Sequence, residues 1–123
     1  MTTQEIAVKL VDLCRTGRWQ EAQETLYHPD CKSIEPEGAP WPVAEGMEAI
    51  KEKGDQWASM VEEVHESFIS DPLIGDHYFV INMQTDATFK GMGRGQLNEL
   101  CVYEVRHGKI VTEQFFYTPV NPK

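Results

Sequence analysis

The feature that most constrains this chain is a change of hydrophobic periodicity near Glu62. Before that residue, apolar side chains recur at the three- and four-residue spacing of amphipathic helices, and after it they alternate with polar ones. Alternation predicts strands that bury one face, and helical spacing predicts helices that bury one stripe. Three helices followed by a meander of long strands predict an α+β fold, with the strands packed on the helices.

The three predicted helices lie in the first half of the chain. Thr2 and Glu5 form the pattern of a capping box, and Gly17 ends the first helix. A second, shorter helix is expected from about residue 18 to residue 26, and a third begins near Gly46. Their expected buried residues include Trp19, Ala22 and Leu26 on the second helix and Met47, Ile50, Trp57 and Val61 on the third.

The strands are predicted from runs of alternating residues. A short strand is expected over 31–35, after a turn at 27–30, and long strands are expected over 64–70, 77–88, 95–106 and 109–117. Residues 36–42 contain three prolines and one glycine, which predicts a loop. Trp41 lies in this loop.

Composition limits the class of protein and the partners. A length of 123 residues predicts one domain over 1–123, and no apolar run is long enough to span a membrane. A formal net charge of -9 argues against nucleic acid and anionic membranes as partners. Three widely spaced cysteines and a polar N-terminus without a signal-peptide pattern predict reduced thiols in a cytoplasmic protein.

Motifs for metals and cofactors are missing from the sequence. There is no H-E-x-x-H and no paired cysteine spacing, so we expect no metal site. There is also no G-x-G-x-x-G, P-loop or G-x-S-x-G pattern. We therefore expect a protein that uses no cofactor.

Three segments carry a resemblance to a known family. The hairpin over 102–111 reads VYEVRHGKIV, the segment over 26–36 reads LYHPDCKSIEP, and EGMEAI follows at 45–50. Together these segments resemble SnoaL-like and ketosteroid-isomerase-like members of the nuclear transport factor 2 superfamily. The resemblance implies three N-terminal helices packed in the concave face of a strongly curved antiparallel sheet, a cone-shaped α+β barrel with an internal pocket.

The resemblance also implies a role for one carboxylate. Glu35 matches the general base of ketosteroid isomerases, but Lys9 and Cys101 stand where those enzymes place their oxyanion pair. Glu113 and Phe115 stand where SnoaL-type cyclases carry a histidine and an acid. These departures argue against the known steroid and cyclase mechanisms, so the fold does not specify the reaction.

The alternation of side chains along each strand and the resemblance together predict which residues line the pocket. Its inward residues are expected to be Phe79, Ile81, Met83, Cys101, Tyr103, Phe115 and Tyr117, with catalytic carboxylates at Glu35, Glu99 and Glu113. A carboxylate on an apolar face is paired, hydrated or protonated, and burial moves its pKa toward the range useful for proton transfer. Glu99 and Glu113 could equally lie in water at the pocket mouth, or pair with a cation at a subunit interface.

Aromatic residues have two interpretations. Trp41 is either a lid over the pocket or a residue packed on the third helix, and Trp57 is either a pocket wall or part of the core. Tyr103 and Tyr117 could offer a hydroxyl to a ligand or hydrogen bond to a buried glutamate.

Three functions follow. The first is a cofactor-independent isomerase, cyclase or dehydratase that uses Glu35 as general base on a small apolar substrate. The second is a non-catalytic module that binds a small molecule. The third is an interaction module, because Leu100, Val102 and Phe116 make the outer sheet face apolar and predict a homodimer.

Overall fold

The computed structural model of the protein describes residues 1–118. Helices and strands follow the predicted order, with three helices and seven strands in that part of the chain. The helices are α1 (Thr3–Arg15), α2 (Trp19–Leu26) and α3 (Met47–Met60). The strands are β1 (Tyr27–Ile34), β2 (Val43–Glu45), β3 (Val61–Ile69), β4 (Leu73–Gly75), β5 (Tyr78–Phe89), β6 (Gly93–Arg106) and β7 (Lys109–Phe116).

Helix α1 begins and ends as its sequence predicts. The Thr2 hydroxyl accepts from the Glu5 backbone N–H at 3.1 Å, and the Glu5 carboxylate accepts from the Thr2 backbone N–H at 2.8 Å. These two bonds satisfy donors that the first turn of a helix leaves free. Gly17 has φ of 73°, the left-handed conformation that glycine adopts most readily after a helix end.

The sheet is curved as predicted, and it is mixed rather than wholly antiparallel. Its strand order is β2-β1-β7-β6-β5-β3, with β4 paired to β5, so the described strands form an open sheet. β1 pairs with β7 in parallel, and its other partner β2 is antiparallel. Alternation predicts which residues share a face, but it does not predict which strand docks on a distant edge.

Three short segments were predicted wrongly. Residues 27–30 form the start of β1 where a turn was expected, and an irregularity between Tyr27 and Lys32 accommodates Pro29. β2 and β4 are strands of three residues each, which is too short for alternation to be recognised.

The faces of the long strands are as predicted. Phe79, Ile81, Cys101 and Tyr103 are each at most 2% exposed and lie in the core together with α1 and α2. The rings of Phe79 and Tyr103 stack with centroids 4.7 Å apart. The alternation of side chains therefore predicted the inward faces of β5 and β6 correctly.

Two tryptophans predicted in the core are exposed. Trp19 is the first residue of α2, which contributes Ala22 and Leu26 to the core, and Trp19 itself is 43% exposed. Trp57 is also 43% exposed, because the last turns of α3 lie beside β3, most of which is solvent-accessible. Helical spacing places residues on a face, but it does not tell how far the opposing sheet extends.

None of the described helices is both long enough and apolar enough to span a bilayer.

Candidate functional site

A carboxyl group lies in the core of the protein at Glu113. This side chain points inward from β7 and is 4% exposed. The Tyr27 hydroxyl donates to its Oε1 atom, and the Ser33 hydroxyl donates to its Oε2 atom at 2.6 Å. Burial raises the pKa of Glu113, and these two hydrogen bonds oppose the rise because they stabilise the carboxylate.

Lys53 brings a positive charge to this carboxyl from α3. Its ammonium donates to Ser33 Oγ at 2.6 Å and to Glu35 Oε2 at 3.1 Å. The Nζ atom also lies 4.9 Å from the centre of the Phe115 ring, a cation–π distance. Both the Lys53 and the Glu35 side chains are only 18% exposed, so water screens this ion pair weakly.

Glu35 follows the last residue of β1 and has a second partner in Tyr117. The Tyr117 hydroxyl donates to Glu35 Oε1 at 3.1 Å. Burial and the neighbouring Glu35 charge raise the pKa of Tyr117 to about 12. Tyr117 therefore remains a hydrogen-bond donor at neutral pH, and it realises the predicted bond between a tyrosine and a partly buried glutamate.

Glu99 is the third member of a carboxylate cluster that also contains Glu35 and Glu113. It lies on the inward face of β6, opposite Met83 of β5, and is partly buried. Burial, followed by the charges of Glu35 and Glu113, raises its pKa to about 7, while Lys53 opposes the rise. A carboxyl group with a pKa near neutrality exists in both protonation states under physiological conditions.

A depression of about 640 Å³ lies where β7 ends beside β6. Its lining includes the carboxylate of Glu99 and the side chain of Tyr117, which is the hydrogen-bond partner of Glu35. The remaining lining residues are Pro36, Asn82, Asn98, Leu100, Phe116 and Thr118. Phe79, Ile81, Cys101 and Tyr103 lie in the packed core instead.

The other predicted pocket residues differ in burial and contacts. Phe115 is under the Lys53 ammonium, and Met83 is 8% exposed. Trp57 follows Lys53 by four residues, so both lie on one face of α3, and its ring meets Phe89 edge-on at 6.4 Å. Trp41 is 40% exposed in the loop between β1 and β2.

Three residues that contact the carboxylate cluster were not predicted from the sequence. Tyr27 was assigned to a turn, and neither Ser33 nor Lys53 was singled out. A signal existed for two of them. Ser33 alternates with Cys31 and therefore shares its inward face, and Lys53 lies three residues after the buried Ile50.

Among residues 1–118, no three or more His, Cys, Asp or Glu side chains group as metal ligands.

Comparison with known proteins places this geometry in context. A family model for the SnoaL-like domain matches residues 1–117. A proposed SnoaL-like polyketide cyclase from Mesorhizobium loti is 32% identical, with a TM-score of 0.90 over 95% of this chain and 100% of that one. A search of curated proteins gives no match.

More distant structures share the fold. An NTF2-like protein of unknown function from Burkholderia pseudomallei is 14% identical, with a TM-score of 0.78 over 96% of this chain and 92% of that one. A protein with a ketosteroid-isomerase-like fold from Catenulispora acidiphila, solved in complex with trimethylamine, is 20% identical, with a TM-score of 0.72 over 91% and 85%.

Proposed function

Since this chain belongs to the family of SnoaL-like domains, we propose that it is a cofactor-independent acid–base catalyst for a small, largely apolar organic molecule. The observation that carries the proposal is the grouping of Glu35, Glu99 and Glu113 around one lysine, Lys53. Carboxyl groups in different environments have separated pKa values, which suits one to accept a proton and another to donate one. Isomerisation, cyclisation and dehydration are reactions that such a pair can catalyse.

Two carboxyl groups have complementary roles in this proposal. Glu35, oriented by Lys53 and Tyr117, takes a proton from a carbon next to a carbonyl group. Glu99, whose pKa is about 7, delivers its proton to the carbonyl oxygen or to a second carbon. The two groups then exchange protons with water, which returns both to their starting states.

The ligand would bind between the depression and the inner side of α3. Trp57, Trp41, Phe115 and Tyr117 would provide the aromatic wall. Met83 would form the apolar floor beneath it, and Phe79, Ile81, Cys101 and Tyr103 would support this floor from the packed core. An apolar wall with a few polar groups is typical of small-molecule sites.

Proton exchange at carbon tests this function without a known substrate. Cyclic ketones and β-keto esters are incubated with the protein in D₂O, and mass spectrometry follows the gain of deuterium next to the carbonyl. We expect the wild type to accelerate exchange, and Glu35→Gln and Glu99→Gln to lose most of that acceleration. Glu104→Gln, on the outer face of the same strand β6, is the matched control. Equal exchange in the wild type and Glu35→Gln contradicts the role of Glu35.

Non-catalytic binding of a small amine is the second candidate. Three carboxylates face one lysine, and this imbalance favours a positively charged ligand. The trimethylamine bound to the C. acidiphila protein supports the same interpretation. Calorimetry with trimethylammonium chloride and with the neutral branched alcohol tert-butanol separates the candidates. Tight binding of the ammonium ion, with no deuterium exchange on any ketone, favours the binding module.

A second copy of the chain is the proposed partner of the outer sheet face. Leu100 and Phe116 are paired neighbours on this face and are 50% and 49% exposed. Two ion pairs join charges of this face within the chain: Arg94 pairs with Asp86 at 2.8 Å, and Arg106 pairs with Glu104 at 2.8 Å. These four charges are therefore already paired when two copies, each with a net charge of -9, meet at this face.

Sedimentation velocity tests this assembly. We expect the wild type to be a dimer at micromolar concentration, and Leu100→Lys to be a monomer. Val8→Lys, an equally apolar and 46% exposed position on α1, is the matched control and should remain dimeric. A monomeric wild type contradicts the proposed interface.

A further inference from the structure

A directed hydrogen-bond chain connects Lys53 to Glu113. The Lys53 ammonium donates to Ser33 Oγ at 2.6 Å, and the Ser33 hydroxyl donates to Glu113 Oε2 at 2.6 Å. In both bonds the donor lies on the side of Lys53 and the acceptor on the side of the buried carboxyl group. This is the arrangement in which a proton moves along a chain by one hop per bond.

Burial makes this chain the route from the site to Glu113. Ser33 is 0% exposed and Glu113 is 4% exposed, whereas the Lys53 side chain is 18% exposed and touches Glu35 beside the depression. The other contact of Glu113 is Tyr27, which is 7% exposed and packs in the core. Among the described residues, the Tyr27 hydroxyl has no hydrogen bond that leads from Glu113 to an exposed group, so it does not provide a second route.

The groups that surround Glu113 separate into neutral and charged sets. Burial raises the pKa of the Cys14 and Cys31 thiols to about 12 and raises that of Cys101 as well, so these thiols keep their protons at neutral pH. Tyr103 is neutral for the same reason. The charges that Glu113 faces are those of Lys53, Glu35 and Glu99.

We infer that Ser33 and Lys53 form the proton path between the candidate site and Glu113, which serves as a buried proton reserve. In the inward step an N–H bond of Lys53 breaks as an O–H bond forms on Ser33. The original Ser33 O–H bond breaks as one forms on Glu113 Oε2. Lys53 is left as a neutral amine, Glu113 as a neutral acid, and water at the depression returns a proton to Lys53 through Glu35. Ser33 and Lys53 are thus positioning residues, and their role does not depend on turnover of any substrate.

Time-resolved infrared spectroscopy after a jump from alkaline to acidic pH tests the path. An infrared band that is present in the wild type and missing from Glu113→Gln reports the protonation of Glu113. The rate at which this band grows after the pH jump is the rate of protonation. We expect Ser33→Ala to slow this rise about a hundredfold, because the relaying hydroxyl is gone. Ser33→Thr retains a hydroxyl, suits a strand and should restore the rate.

Tyr27→Phe is the discriminating control, because it also removes one hydrogen bond from Glu113 but leaves the path intact. It should shift the pH at which Glu113 titrates without slowing the rise. Ser70→Ala, which removes a hydroxyl that accepts from Asn82 N–H away from the cluster, should change neither quantity. An unchanged rate in Ser33→Ala, or equal slowing in Tyr27→Phe, overturns the path. Neither result bears on deuterium exchange into ketones, so the two proposals fail separately.

Discussion

Lys53 Nζ lies 3.1 Å from Glu35 Oε2, although Glu35 comes 18 residues earlier in the chain. This contact joins α3 to the end of β1 across the proline-rich loop. Lys53 also lowers the pKa values of Glu99 and Glu113, which burial raises. One lysine therefore influences the protonation of both Glu99 and Glu113.

Replacing Lys53 with Met removes the positive charge and keeps most of the side-chain volume. We expect a loss of about 2 kcal/mol in the free energy of unfolding at neutral pH, since Glu35 loses its ion pair while partly buried. The loss should shrink at acidic pH, where Glu99 and Glu113, whose pKa values Lys53 lowers, are protonated and no longer gain from a nearby cation. Lys51→Met, on the exposed side of the same helix, is the control for urea denaturation at both pH values. A pH-independent loss argues against the ion pair as its cause.

Glu99→Gln should be more stable than the wild type at alkaline pH. The pKa of Glu99 is raised from 4.5 to about 7 in the folded protein. Between these values the unfolded state releases its proton first, so the unfolded state binds fewer protons and wild-type stability falls as pH rises. Glutamine does not titrate, and the difference should reach about 3 kcal/mol above the folded pKa and vanish at low pH.

Urea denaturation as a function of pH measures this difference. The outer-face variant Glu104→Gln should follow the wild type at every pH, because it removes only an exposed ion pair. A constant difference between Glu99→Gln and wild type contradicts the raised pKa.

Phe79→Ala and Phe116→Ala compare the two faces of the sheet. Phe79 is 1% exposed and stacks on Tyr103, so its truncation should cost about 3–5 kcal/mol through the cavity that it leaves. Phe116 is 49% exposed, and its truncation should cost under about 1 kcal/mol in the free energy of unfolding of the monomer. Both changes are introduced into the Leu100→Lys variant, which we expect to be monomeric, so that assembly does not contribute to the comparison. Similar costs for the two variants would contradict the assignment of faces.

Thr2→Ala tests the start of α1. The threonine hydroxyl accepts from the Glu5 backbone N–H, and its loss should cost about 1 kcal/mol in the free energy of unfolding. Thr3→Ala changes the adjacent residue, which lies inside the helix, and should be neutral or slightly stabilising since alanine favours helices. Calorimetric unfolding temperatures report both changes. A greater loss in Thr3→Ala is the result that contradicts the capping role.

The carboxylate cluster was only partly predictable. Glu99 and Glu113 were placed on inward faces by alternation, and the prediction of their faces agrees with the structure. The cation that pairs with Glu35 was missed because Lys53 lies on a helix whose rotation relative to β1 depends on packing. Trp57 shows the same limit, since it was expected in the core and is 43% exposed.

The sequence by itself determined the order of helices and long strands, the α1 cap and the inward faces of β5, β6 and β7. These features depend on residues close together in the chain, so periodicity and capping patterns are sufficient to specify them. The tertiary structure alone decided the parallel docking of β1 on β7 and the contacts of Lys53 with Ser33 and Glu35. Those contacts join residues far apart in sequence, and the packing free energy of the whole domain selects them.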